Sequence, residues 1–115
     1  MEQTTLFRIL GDETRLRAVA LMAEAGEVCV CELVHALELP QPKISRHMAA
    51  MRDAGLVVPR RDAQWVFYDL DPALPDWQQD VIAATVKGIR TEAVVINDRK
   101  RLKSMNDRPV RCAVA

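Results

Sequence analysis

Between Pro40 and Tyr68 a helical period gives way to two strand-like runs at a single glycine, and no other stretch limits the fold so tightly. Ile44, Met48 and Met51 recur at i, i+4 and i+7, the spacing of one buried helix face. Pro42 stands at the first helical position, where its missing N–H does no harm, and Gly55 supplies the stop. Leu56-Val57-Val58 and Trp65-Val66-Phe67-Tyr68 then have the β-branched and aromatic make-up of strands. Residues 60–64 are the expected loop between them, so the helix leads directly into a small hairpin.

The elements before it are also helical. Thr4 or Thr5 can cap a first short helix carrying Leu6, Ile9 and Leu10, ended by Gly11. Asp12 caps a second, with Leu16, Val19, Ala20 and Ala23 as its inward stripe and Gly26 as its close. A third covers roughly 31–38, and Leu39-Pro40-Gln41 is the turn into the helix described above. A final long helix is expected from near Pro75 to about residue 100, marked by Leu74, Trp77, Val81, Ala84 and Gly88. Half of the 115 residues are apolar but only five are aromatic, so the core must be aliphatic and the fold mainly α with a small β-hairpin. The order of elements is that of a winged helix-turn-helix. Residues 1–103 are expected to form this domain and 104–115 a flexible, polar C-terminal tail. The longest apolar run, Ala18 to Ala23, is far too short to cross a bilayer, and the N-terminus lacks a basic region followed by an apolar stretch. A cytoplasmic protein with no membrane partner is the expectation.

The zero net charge conceals a segregation. Residues 41–61 carry five basic groups and one acidic, whereas 1–40 carry three and seven. A local basic patch is the footprint that matters for double-stranded DNA. With Ile44, Met48 and Met51 inward, Arg46, Ala49, Ala50 and Asp53 point outward, and the two alanines allow close approach to a groove wall. Gln41, Lys43, Ser45 and Arg46 fall in the first turns, the part that reaches base edges. Arg60 and Arg61, expected in the hairpin tip, are candidates for phosphate contact. His47 falls near the apolar side of the wheel; it reads first as a packed histidine and second as a DNA contact.

Cys29 and Cys31 lie one residue apart, and Cys112 makes the cysteine count odd, which fits reactive or metal-binding thiols better than a disulfide framework. In a regular helix the pair would diverge by about 200°. In an extended segment both point to one side, about 6.6 Å apart at Cα. Binding one ion therefore calls for the start of the third helix to stay open, with Val28 and Val30 favouring that. Helix-start N–H groups favour thiolate, and thiolates select soft ions. Asp76 and Asp80 are suitably spaced for zinc, but their helix has no His, and they read as a solvated face. Cys-x-Cys without a βαβ pattern does not describe a thiol oxidoreductase, and no enzyme is expected.

Cys29-Val-Cys31-Glu-Leu, Gln41-Pro-Lys-Ile-Ser-Arg-His47, Gly55-Leu56 and Trp65-Val-Phe-Tyr68 together resemble the blocks of the ArsR/SmtB repressors, over roughly residues 5–90, and in particular the arsenical-responsive branch. The resemblance implies a homodimer joined through its first and last helices, which turns Leu6, Leu74, Trp77, Val81 and Ala84 into candidate interface residues. It also implies a repressor that holds a two-fold operator when apo and releases it when trivalent arsenic or antimony binds. No permanently bound cofactor is implied. The familiar form of this site has a third cysteine three residues after the second, where this chain has Val34. Three completions stay open: Cys112, an external small thiol, or two sulfurs alone, which would also suit a mono-substituted organoarsenical. The rival within regulation is a thiol redox-sensing repressor using Cys31 and Cys112, since a Cys29–Cys31 disulfide would close a small strained ring.

Overall fold

The computed structural model describes residues 1–109. Its elements run α1 (Gln3–Leu10), α2 (Glu13–Ala25), β1 (Val28–Cys29), α3 (Val30–Leu37), α4 (Gln41–Ala54), β2 (Val57–Asp62), β3 (Trp65–Leu70), α5 (Asp76–Ile89) and α6 (Ala93–Ser104). The fold is mainly helical, with one small antiparallel sheet in the order β1-β3-β2.

Local chemistry accounts for most boundaries. Asp12 caps α2 by accepting the Arg15 N–H at 3.1 Å. Gly55 ends α4 at φ 88°, the left-handed conformation that costs glycine least. The core is aliphatic as expected: Leu6, Val19, Met22, Leu33, Ile44, Met48, Met51 and Leu56 are all buried, and of the aromatics only Phe67 and Tyr68 join them. Along α2 the buried set is Ala18, Val19, Ala20, Leu21 and Met22; Leu16 is half-buried and Ala23 exposed, so the stripe is rotated from the expected one. No helix among the described residues is long and apolar enough to cross a membrane.

Three expectations need correction. The hairpin is longer than its apolar runs: β2 and β3 pair from Val57↔Leu70 to Asp62↔Trp65, so Arg60 and Arg61 are strand residues and the tip is Ala63-Gln64. A third strand exists, in which Val28 pairs with Tyr68 and Cys29 with Phe67. The final helix is not continuous. α5 stops at Ile89, Gly88 lies inside it, and α6 starts afresh at Ala93. A tertiary contact explains the break, because α6 folds back to seat Asp98 against Arg17 of α2, with Nε–Oδ2 at 2.9 Å and Nη2–Oδ1 at 2.7 Å. The stretch expected as a loose tail from residue 104 is tied back in its first part: Arg108 Nε donates to Glu32 Oε2 and Pro109 is buried. Cys112 lies outside the described residues.

Candidate thiol site and nucleic-acid interface

The thiol pair sits where strand becomes helix. Cys29 ends β1 with extended backbone (φ −79°, ψ 152°) and is the residue before α3; Cys31 is already in its first turn. This junction places the two Sγ atoms 3.2 Å apart. The helix start is wound rather than open, contrary to the expectation, and the sulfurs still converge because only Cys31 is helical. Glu32, fully buried, accepts the Cys29 N–H on Oε1 at 2.7 Å. That is the reach-back half of a capping box, legible in the sequence as an acidic residue three after the cap, with Cys where Ser or Thr is usual. Arg108 holds the other carboxylate oxygen.

Burial weighs on the Cys31 thiol. It pushes the Cys31 thiol up to about 12, Cys29 beside it adds to the rise, and a hydrogen bond from the backbone at Glu32 opposes it only weakly. At Cys31 desolvation outweighs the helix-start N–H groups expected to favour thiolate. Among the described residues no group of three or more His, Cys, Asp or Glu side chains gathers to hold a metal. Asp76 and Asp80, both exposed, lie on α5. Val34 is half-buried on the core side of α3.

Beside the thiols opens a cleft of about 280 Å³, bordered by Cys29 and Cys31, by Trp65 and Val66 of β3, and by Gln41 and Ser45 of α4. The strand at Trp65 and Val66 was visible in the sequence; the cleft was not, since it forms only where the two-residue β1 brings the thiols beside β3.

The basic face of α4 is laid out as the wheel requires. Gln41 and Arg46 are exposed, Lys43 and Ser45 half-buried, and Gln41 Nε2 donates to Ser45 Oγ at 2.6 Å. His47 instead turns toward α2, its Nδ1 3.4 Å from Arg15 Nη1. A guanidinium can only donate, so Nδ1 is the unprotonated nitrogen in this contact. Burial lowers the His47 pKa, Asp12 opposes that, and Arg15, Lys43 and Arg46 reinforce it. The same Arg15 donates to the carbonyls of Ile9 and Arg8 at the end of α1, each at 3.0 Å. The two wing arginines differ. Arg61 is exposed. Arg60 is bound to both Glu27 oxygens at 2.7 Å, reaches Asp62 and stacks 4.8 Å over the Phe67 ring.

The candidate interface residues separate in the same way. Leu6 is fully buried in the chain's own core and Leu74 nearly so. Trp77 is exposed, Val81 half-buried and Ala84 exposed, all on α5, while Phe7 is the exposed apolar residue of α1. Gln78 Nε2 donates to the Met1 carbonyl at 2.8 Å, tying α5 to the start of α1.

Against known proteins, residues 12–58 match the family model described as bacterial regulatory protein, arsR family. The chain is 47% identical over 113 residues to the arsenic resistance transcriptional regulator ArsR1 of Pseudomonas putida, covering 94% of this chain and 85% of that protein. It is 46% identical over 109 residues to ArsR2 of the same organism, covering 95% and 93%. Among solved structures, the transcriptional repressor BigR of Xylella fastidiosa superposes with a TM-score of 0.63 at 30% identity, over 76% of this chain and 82% of that one. With a winged helix-turn-helix, a basic helix α4 and relatives that are arsenic resistance regulators along nearly the whole chain, this protein belongs to the ArsR family of transcriptional repressors.

Proposed function

We propose that the chain is a metalloid-responsive repressor. As an apo homodimer it holds a two-fold operator in the cytoplasm, and it lets go when trivalent arsenic or antimony bridges Cys29 and Cys31, with Cys112 as candidate third sulfur. The observation that carries this reading is the 3.2 Å sulfur separation in a cleft shared with Gln41 and Ser45. With metal–sulfur bonds of about 2.3 Å, two sulfurs 3.2 Å apart subtend about 90° at the ion, whereas a tetrahedral ion would want them about 3.8 Å apart. A right angle suits a pyramidal trivalent ion bonding through its p orbitals. Because the DNA-reading side chains border the same cleft, an occupant acts on them directly.

In this reading Gln41, Lys43, Ser45 and Arg46 face base edges, and Arg61 meets phosphate from the wing. Arg60, held by Glu27, sets the wing's position, and His47 seats α4 against α2. Phe7, Trp77, Val81 and Ala84 supply the apolar surface for dimerisation, Leu6 and Leu74 supporting it from inside.

The test is operator-fragment binding with arsenite, antimonite, zinc and peroxide added in turn. Arsenite and antimonite should release the fragment; release by peroxide alone would replace this reading with redox sensing. Repetition with Cys112→Ser decides the third ligand, since unchanged arsenite sensitivity would remove Cys112 from the site. Protons add a further discriminant. Neutral arsenous acid exchanges hydroxide for a protonated thiol and releases water, so its apparent affinity should stay nearly flat around neutral pH. A divalent ion must displace the thiol protons, and its affinity should climb with pH.

A further inference from the structure

We propose that Arg108, from the stretch that follows α6, is a positioning residue for the inducer response: it holds the Glu32 carboxylate and, through it, the backbone of Cys29. The inference rests on Cys29 and Cys31 being the inducer's ligands. It adds to them a residue outside the 12–58 segment that matches the family model.

The chain is built to deliver this side chain. α6 ends at Ser104, and Met105 follows with extended backbone (φ −68°, ψ 123°), so the chain leaves the helix there. Arg108 precedes a proline, which disfavours helical backbone at that position, and Pro109 is itself buried. Arg108 Nε then donates to Glu32 Oε2, 76 positions back in the sequence. Glu32 is fully buried, and its other oxygen accepts the Cys29 N–H at 2.7 Å. A carboxylate bonded at both oxygens is restrained in place and direction. It keeps Cys29 extended just before α3 while Cys31 sits in the first turn. The 3.2 Å sulfur separation depends on both backbones holding those places.

The two partners are unequally buried, and this separates positioning from plain stabilisation. The Glu32 side chain has no exposure, whereas that of Arg108 is 37% exposed. Without the guanidinium, water can reach Oε2 from the open side and hydrogen-bond to it. Water does not fix a direction, so Cys29 would gain freedom to shift against Cys31. The loss should therefore fall on chelation, which needs both sulfurs at one separation, more than on folding. Groups that orient a metal ligand from behind are typically worth about 10–100-fold in ion affinity.

The experiment is operator release by arsenite, followed by fluorescence anisotropy, in the full chain and its Arg108→Ala, Arg108→Gln and Arg108→Lys variants. Thermal melts choose a temperature at which all are folded, and Arg108→Gln, which keeps much of the stem, carries the comparison if Arg108→Ala does not fold. Operator affinity without arsenite should match that of the unmodified chain, because the bond of Arg108 is to Glu32 and not to α4 or the wing. Half-release should need at least about tenfold more arsenite in Arg108→Ala and Arg108→Gln. Arg108→Lys, which returns a cation to Oε2, should recover most of that loss. An unchanged half-release concentration in both neutral variants, or no recovery with Lys, would overturn the positioning role. So would a fall in arsenite-free operator affinity as large as the loss of response, which would make Arg108 a residue of the fold alone. An unmodified chain that binds its operator yet ignores arsenite would instead refute the sulfur assignment, and the positioning role with it.

Discussion

α3 and α4 are consecutive helices joined by a tight turn, yet they are held in opposite ways. α3, eight residues long, is gripped at both ends. At its start Glu32 takes the Cys29 N–H and is itself held by Arg108. At its end the carbonyls of Leu37 and Ala36 accept from Arg17 and Arg101, and buried Asp98 binds both arginines. α4 begins after Pro40 with no side-chain cap, and its polar first turn is exposed or half-exposed. It is anchored along one side only, through Ile44, Met48, Met51 and the contact of His47 with Arg15. A fixed platform for the thiols thus adjoins a helix whose free face and open start are available to DNA, where helix N-termini favour phosphate. In the proposed mechanism inducer binding has little room to deform α3, so its effect would pass to the less restrained neighbour.

The strongest way to break this contrast is at the C-terminal grip. Asp98→Ala leaves the mostly buried Arg17 without its carboxylate, while Arg101 keeps Glu38, and it should lower stability by about 3–5 kcal/mol. Urea unfolding checks it; a loss close to zero would mean that α3 does not depend on α6. Next is Glu32→Ala, which removes the reach-back half of the capping box and strands the buried Cys29 N–H. The expected loss is about 1–3 kcal/mol, together with weaker arsenite response as Cys29 loses its fixed backbone. Full arsenite sensitivity in a destabilised Glu32→Ala protein would show that the platform serves the fold alone.

On the other helix the expectation reverses. Arg46→Ala should leave stability unchanged and weaken specific operator binding by about 1–3 kcal/mol. Comparing melting with operator affinity in one variant tests the division directly, and an unaffected affinity would mean that α4 presents another face to DNA.

How much of this could be read in the sequence follows the same division. α4 was legible because its signals are local: three apolar residues in helical phase, a proline at its start and Gly55 at its end. The thiol pair stood out in the sequence, and an extended segment was expected to bring its thiols to one side; the strand-to-helix junction that does so was not legible, since it depends on β1, a strand too short to have a period and formed only by pairing with β3. The break between α5 and α6 carries neither Pro nor Gly at residues 90–92. It is dictated by where Asp98 and Arg101 must land, which is a tertiary demand. Arg60 and Arg61 look identical in sequence, and the partnership of Arg60 with Glu27, 33 positions away, and its stacking over Phe67 separate them.

The smallest expected effect concerns the anchored side of α4. Burial holds the His47 pKa below its ordinary 6.5, with Arg15, Lys43 and Arg46 adding to the depression against the pull of Asp12. The unfolded chain therefore takes up this proton first as pH falls. Stability from neutral His47 is complete above 6.5 and drains away below it, toward the folded-state pKa. Asp12 stays ionised through that window, because the Arg15 N–H holds its carboxyl below 3.8, so its cap does not confuse the measurement. Thermal melts at about pH 7.5 and about pH 5.5 should show a decline in the native chain that is reduced in His47→Gln, which keeps a polar group near Arg15 but cannot titrate. An equal decline in both would place the proton uptake elsewhere and leave α4 held by its apolar stripe alone.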